Sequence, residues 1–509
     1  MSAIILATLN ARYVHASLGL RCLAANLGEL QPDARIMEFV LGARPADVVE
    51  ALLKEAPRIV GLGVYIWNVE EITRVAAMLK GVAPAVVLVV GGPEVSHEFD
   101  DQRIARFADY AISGWGDVSF ARLCRELLGG TRPAQKVIAG EQVPLDKLAL
   151  PYSLYTEDDI ARRFLYVEAS RGCPFKCEFC LSSRDKTAWP FNLERFLAEM
   201  RALYGRGARH FRFVDRTFNL NVDSSLRILE FFLERMDDRL FVHFEVIPDR
   251  LPQKLRESIA RFPRGSLQLE IGIQTFNPEV QALISRRQDD AKAAENFRWL
   301  REHSNALIHA DLIAGLPGED LESFGRGFDR LHAMRPDEIQ VGILKRLRGA
   351  PVARHSDSHR MIYNPDAPYN ILSTACIDFP NMQRIARFAR YWELLGNSGR
   401  FPRSLPLLLG DAHADSAFQR FMDFSDWLFE ATGKTHEFAL ERLFELLHRY
   451  LTAELGMAGE AVAEALISDY SASGARGRPA FMPMGISVGD KRKKTGSRTH
   501  RSWVRQARH

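Results

Sequence analysis

Residues 3–9, A-I-I-L-A-T-L, form an unbroken apolar run, and similar runs follow at 35–41, 59–65, 85–90 and 110–113. Runs this short, without polar alternation, predict strands buried on both faces. Between them apolar residues recur at helical spacing, as Leu18, Cys22, Leu23 and Leu27 do within 13–27, and again over 46–53, 69–79 and a segment ending at Leu128. Strand and helix alternate through short loops, which predicts an α/β, doubly wound (Rossmann-like) parallel sheet over 1–135. The proline-containing stretch 136–163 reads as a linker.

The alternation resumes at L-Y-V-E-A-S from Leu165, then at 211–215, 241–246, 269–273, 306–315 and 339–345, each run leading into a helix-like segment. Six βα units over 164–348 are too few to close an eight-stranded barrel. They suit an open, partial (β/α)6 barrel with its site at the carboxyl ends of the strands. From 349 the pattern turns helical, as in M-Q-R-I-A-R-F-A-R-Y-W-E-L-L at 382–395 and F-A-L-E-R-L-F-E-L-L-H-R-Y-L at 438–451. A helical C-terminal domain is expected over 349–475 and a disordered basic tail over 476–509.

Composition changes this picture little. The 509 residues are 47% hydrophobic and 26% charged, a globular balance that allows a large core. No run of eighteen apolar residues occurs and the N-terminus lacks a basic leader, so the expectation is a cytoplasmic protein without a membrane span. The net charge of +3 is uneven, because eight Lys/Arg from Lys491 to Arg508 face one acid, Asp490. The rest of the chain is left at net −4, which gives a nucleic-acid surface no support outside the tail.

Cysteine usage is more informative. Three of the six cysteines, Cys173, Cys177 and Cys180, fall in R-G-C-P-F-K-C-E-F-C. A disulfide knot, a zinc site and an open metal cluster compete for this spacing. The three are too close to staple a fold, and a structural zinc wants a fourth ligand that no nearby Cys or His supplies. Three thiolates on a four-iron cluster leave one iron open, and the spacing favours that arrangement.

C-x3-C-x2-C after a strand, at the head of a series of βα units, resembles the radical S-adenosylmethionine (SAM) enzymes. F-V-D-R-T-F-N (213–219), L-E-I-G-I-Q-T-F-N (269–277) and H-A-D-L-I-A-G-L-P-G-E (309–319) resemble strand-end motifs of the same superfamily. The N-terminal α/β segment is similar to the cobalamin-binding domain fused to that core, and the C-terminal helices to a helical region of unassigned function. The resemblance implies a 4Fe-4S cluster on Cys173, Cys177 and Cys180. It implies SAM held by Phe179, Asp215, Asn219, Glu270, Gln274, Gly315 and Leu316, with Pro317, Gly318 and Glu319 completing the last turn. Glu245 and Lys345 are candidates for substrate chemistry.

For cobalamin the resemblance points to Asn10, His15, Tyr65, Trp67, Asn68, Gly91, Gly92, Pro93, Glu94, Ser96, Gly114 and Gly116. The D-x-H-x-x-G run that supplies a lower cobalt ligand in many such domains is missing from the first 150 residues. The near match D-A-H-A-D-S at 411–416 lacks the glycine, and His15, after the first strand, is the expected substitute. The implied activity is generation of a 5′-deoxyadenosyl radical and methylation of an unactivated carbon. Radical cyclisation, rearrangement or oxidation without methyl transfer is the alternative, and a non-catalytic cobalamin or redox sensor a remote one. A tRNA methylthiotransferase would need three cysteines in the first domain, where only Cys22 and Cys124 lie. The implied partners are an electron donor such as flavodoxin or ferredoxin and an unidentified small-molecule or peptide substrate, with nucleic acid only through the basic tail. No residue pattern names that substrate.

Overall fold

The computed structural model describes residues 2–185, 187–410, 415–475 and 477–483. His413 of the D-A-H-A-D-S stretch and, from the basic tail, residues 476 and 484–509 lie outside the described residues. Residues 477–483, expected to be disordered, are held instead, the Arg478 and Ala480 amides donating to Glu441 and Glu445 and Met482 being buried. The chain divides into two compact units. The first comprises residues 1–246 with 345–354 and 364–370, and the second the remaining segments.

The first unit opens on six parallel strands, β1 (Ile4–Asn10), β2 (Ala34–Val40), β3 (Ile59–Gly63), β4 (Val87–Gly91), β5 (Tyr110–Ser113) and β6 (Val137–Ala139), in the order β2-β1-β3-β4-β5-β6. Helices α1 (Leu18–Ala25), α2 (Pro45–Leu53), α3 (Val69–Val82) and α4 (Asp117–Leu128) pack on its two faces. Ile5, Ala7 and Leu9 of β1 join Val48, Leu52, Ile72 and Leu79 of α2 and α3. Ile4 and Leu6 of the same strand join Leu20, Phe120 and Leu123 of α1 and α4. Burial on both sides is why β1 carries no polar alternation.

Helix α1 starts at Leu18, later than its apolar spacing suggests, because the Ser17 side chain accepts from the Leu20 amide at 3.3 Å and sets the N-cap. Strand β6 falls inside the expected linker. Only three residues long, it adds to β5 as an edge strand. The rest of that stretch includes α5 (Glu157–Arg162), begun by a Thr156–Asp159 capping box.

Beyond it come β7 (Leu165–Val167), then an antiparallel hairpin of β8 (Ser170–Gly172) and β9 (Ala188–Pro190) that carries the cysteine loop between its arms. Helix α6 (Leu193–Gly205) leads to β10 (His210–Phe213), α7 (Val222–Leu233) and β11 (Phe241–Val246). Strand β10 pairs in parallel with both β7 and β11.

The second unit holds β12 (Leu267–Gln274), β13 (Leu307–Ala314) and β14 (Glu338–Ile343), all parallel. Its helices include Phe379–Leu395, Ala417–Thr432, Leu440–Arg449 and Gly459–Ser473. Strands do not vanish after 349, since Ile362–Tyr363 pairs antiparallel with Ile371–Ser373. Tyr391 and Trp392 are packed rather than presented to a ligand. Trp392 meets Phe328 edge-on at 4.9 Å and Phe421 at 5.0 Å, while Arg384 pairs with Asp426 at 2.7 Å.

Candidate functional site

At the carboxyl ends of β3, β4 and β5, where an open parallel sheet binds its ligands, the first unit encloses a cavity of about 650 Å³. Leu6, Leu20, Leu62, Val89 and Phe120 give it apolar walls, and Ser96, His97, Asp117, Glu168, Arg171 and Arg184 give it polar ones. Gly91 is one residue that makes the space. A side chain there would project with no neighbour nearer than the Ile112 carbonyl at 3.8 Å, so anything larger than hydrogen would fill the cavity. Gly92, at φ +113°, lets the end of β4 pass so close to β3 that a Cβ would lie 2.5 Å from the Val64 carbonyl oxygen. A cavity of this size at glycine-rich strand ends, with both apolar and polar walls, suits a large ligand with apolar and polar parts.

Seven of the residues expected to hold cobalamin line this cavity: Tyr65, Gly91, Gly92, Pro93, Ser96, Gly114 and Gly116. Ser96 stitches its wall, donating from Oγ to the Gly92 carbonyl at 2.8 Å and accepting from the Gly114 amide at 3.0 Å. The other five are not among the lining residues. Asn10 donates to the His15 carbonyl at 2.7 Å and to Glu38 at 2.9 Å. His15 sits 2.6 Å from the Tyr166 hydroxyl through Nδ1, and burial together with Arg212 and Arg12 lowers its pKa to about 4. Asn68, fully buried, bonds the backbone of Tyr65 and Leu9 and so ties the strand ends together. Trp67 stacks on Tyr65 at 4.4 Å but is 45% exposed. Glu94 is buried against Arg348 at 3.1 Å and the Tyr369 hydroxyl at 2.8 Å.

Asp117, in the G-W-G-D strand end that the resemblance also points to, lines the cavity, as do Cys22, His97, Glu168, Arg171 and Arg184, which sequence did not indicate. Arg171 alone carried a signal, standing two residues before Cys173. Its guanidinium pairs with Glu168 and, at 2.8 Å, with Asp117 at the start of α4, and lies over the Trp115 ring at 4.9 Å. These pairs are shielded from water, and the two carboxylates hold Arg171 firmly in its charged form.

The cysteine loop leaves β8 through Gly172, at φ +95°. All six cysteines are free thiols. The Cys180 amide donates to the Cys177 carbonyl at 3.1 Å, closing a turn that sets the second pair of sulfurs. Burial pushes the Cys173 thiol up to about 11, and Cys180 and Cys177 add to the shift, so the three sulfurs share one electrostatic environment. Among the described residues no three His, Cys, Asp or Glu side chains close on a single ion, whereas the ligands of a cluster bind different irons. Glu178, between two of the cysteines, is held by Arg354 at 2.8 Å, and Phe179 is half-buried. After Cys180 a helical turn, Leu181–Arg184, contributes Leu181 and Arg184 to the cavity wall, so loop and cavity share a partition.

Asp215, just beyond β10, is buried and accepts from the Ala169 amide at 3.0 Å and from Ser170 Oγ at 2.6 Å. Burial outweighs those bonds and raises its pKa from 3.8 to about 7. A carboxyl raised in this way contributes stability that is complete at low pH and is lost as pH climbs through about 7. Melting curves should therefore show wild type losing stability relative to Asp215→Asn between pH 4 and pH 7, by up to about 1.4 kcal/mol per pH unit. Parallel pH profiles for the two proteins would refute this. Asn219 is buried on the same turn. Glu245, at the end of β11, is paired with Arg216 at 2.9 Å.

In the second unit Glu270 and Gln274 lie on one face of β12. Gln274 has φ +71°, a left-handed conformation rare outside glycine, at a bulge that ends the strand's regular pairing. Gly315 and Leu316 follow β13, Gly315 at φ +87° and Leu316 fully buried. Nearby Glu319 accepts from Thr275 at 2.5 Å, and burial lifts its pKa to about 7. Lys345 is exposed in the first unit and bridges backbone to backbone with Asn370.

Comparison with known proteins fits this arrangement. The B12 binding domain model matches residues 4–124, the Radical SAM superfamily model 167–331, and a protein of unknown function model, DUF4080, 357–507. An uncharacterized methyltransferase of Pyrococcus horikoshii, PH0819, is 30% identical over 338 residues, 60% of this chain and 70% of the relative. The chain spans about half the length of several other curated relatives it matches. Among solved structures, the cobalamin-dependent S-adenosylmethionine radical enzyme OxsB with aqua-cobalamin bound superposes with a TM-score of 0.62 at 14% identity, covering 99% of this chain and 83% of that one. The radical S-adenosylmethionine methyltransferase TsrM of Kitasatospora setae, with cobalamin and a [4Fe-4S] cluster, gives 0.58 at 16% identity over 74% and 82%. The chain belongs to the radical SAM enzymes that carry a cobalamin-binding domain, its cofactors are a 4Fe-4S cluster, S-adenosylmethionine and cobalamin, and its C-terminal domain is of the DUF4080 family.

Proposed function

We propose that this enzyme transfers a methyl group to an unactivated carbon, with the cluster on Cys173, Cys177 and Cys180 and cobalamin in the cavity at the ends of β3, β4 and β5. The observation that carries the reading is the shared partition. The turn that follows Cys180 is a wall of the cavity, so a cluster on the loop and a ligand in the cavity are neighbours. When bound, cluster and SAM supply one-electron cleavage chemistry and cobalamin a methyl carrier.

The chain's own residues do the holding. Gly91 and Gly92 admit the ligand at the strand ends, the apolar walls exclude water, and Ser96 fixes the wall between β4 and β5. Asp215 pins the end of β10 to the start of the cysteine hairpin, where Phe179, Asn219 and Asp215 form a SAM-binding group on the first unit. In the second unit Glu270, Gln274, Gly315 and Leu316 are the proposed SAM contacts, and the left-handed Gln274 backbone supports a binding role for that strand end. Glu245 is neutralised by Arg216, which favours a positioning role over proton transfer. The family takes its electron from a reductant, and a small acidic flavodoxin or ferredoxin is the proposed donor. No described helix is long and apolar enough to cross a membrane.

The test needs no substrate. Anaerobic, fully loaded protein given reductant and SAM should yield about one S-adenosylhomocysteine per bound cobalamin in a single turnover. Release of 5′-deoxyadenosine without any S-adenosylhomocysteine would sink methyl transfer and support the cyclisation or oxidation alternative.

A further inference from the structure

We infer that His97 supplies the protein's nitrogen ligand to the cobalt of bound cobalamin. The inference rests on cobalamin occupying the cavity at the ends of β3, β4 and β5, and concerns a residue for which no motif speaks.

His97 is the one histidine among the residues lining that cavity. No hydrogen bond to its ring is formed among the described residues. His15, the position expected from the sequence, is instead engaged with Tyr166 and lies outside the cavity lining.

The position of His97 is fixed with unusual thoroughness for a side chain with no protein partner. Its ring packs onto Gly349, at φ +81°, so closely that any Cβ there would overlap it. Both flanks of the loop are clamped. Glu94 is held by Arg348 at 3.1 Å and by the Tyr369 hydroxyl at 2.8 Å. Glu98 takes Arg346 through two bonds, at 3.0 and 3.1 Å, with Arg348 at 3.1 Å and the Gly349 amide at 3.3 Å. Metal-binding imidazoles are usually oriented by a hydrogen bond from the second ring nitrogen; at His97 the packing on Gly349 and the clamped loop take that place. A half-buried imidazole that is immobilised, unbonded and among the residues lining a cofactor cavity has the chemistry of a ligand awaiting its metal.

The measurement is electron paramagnetic resonance of the full-length protein loaded anaerobically with cob(II)alamin of natural isotope abundance. The unpaired electron of low-spin cobalt(II) couples to an axial nitrogen, so wild type should show a triplet on each cobalt line. Protein grown with ¹⁵N-histidine should show doublets instead, because the label is in the chain and not in the cofactor. His97→Ala should lose the splitting and bind cobalamin about tenfold more weakly. Triplets that survive histidine labelling would assign the nitrogen to the cofactor's own base, and spectra with no nitrogen splitting would leave cobalt without one. Either result overturns the inference while leaving cobalamin in its cavity. Failure of cobalamin to bind at all would overturn the cavity assignment itself. If His97→Ala folds poorly, the labelled wild type still tests whether a histidine binds cobalt, and His97→Asn, closer in size, supplies the residue assignment.

Discussion

Serine in place of Cys173, Cys177 or Cys180 should take bound iron from about four atoms per chain to a small remainder, while cobalamin still binds. The loop makes this the largest single-residue effect expected. Its sulfurs are free, share one electrostatic environment, and sit on a short turn closed by the Cys180–Cys177 bond. A burial-raised thiol such as Cys173 is a poor nucleophile alone and becomes a thiolate when a metal displaces its proton. Losing one of three ligands leaves a cluster with two protein bonds and two irons open to solvent, which does not survive purification. The substitution removes no core side chain larger than a thiol, so the melting temperature should change by only a few degrees. Iron analysis with cobalamin absorbance on the same sample checks both halves. Four irons retained by each serine variant would remove the cluster from this loop.

Gly91→Leu should abolish cobalamin binding, by about a hundredfold or more, with iron content unchanged. Gly91 lies within β4 at an ordinary strand conformation, so leucine strains no backbone there. Its side chain would extend where the nearest atom is 3.8 Å from the Cβ, into the space that the ligand needs. Gly92→Ala is a less clean probe, since the 2.5 Å approach to the Val64 carbonyl would shift the strand end as well. Undiminished cobalamin affinity in a folded Gly91→Leu protein would move the cofactor elsewhere.

The strands and most helices were legible because their apolar runs are uninterrupted or helically spaced, as in β1 and α3. The cysteine loop was legible because metal ligands must be close in sequence to leave one iron open. The glycines of the cavity showed for a similar reason, lying at strand ends where a side chain would obstruct. His15, Asn10 and Asn68 were drawn into the cofactor list by their nearness to a strand end, but strand ends also need polar groups to satisfy carbonyls and amides, and Asn10 and Asn68 are spent on that, while the His15 ring is taken by the Tyr166 hydroxyl. His97 and Arg171 stayed hidden because their role depends on segments far along the chain. Gly349 braces the first, and Asp117 pairs the second. The short strands β6, β8 and β9 were missed because three residues carry no period.

Arg171 has a consequence for how the enzyme is assembled. The guanidinium of Arg171, two residues before the first cluster ligand, joins Asp117, at the head of α4, to Glu168, just past the end of β7. Ordering either end of that bridge lowers the entropy left to be lost at the other. By reciprocity, cluster assembly should tighten cobalamin binding by the same factor as bound cobalamin tightens the hold on the cluster. A cell short of either metal would then hold the other less tightly, so half-loaded enzyme, able to start a radical it cannot finish, would be scarcer than two independent sites would make it.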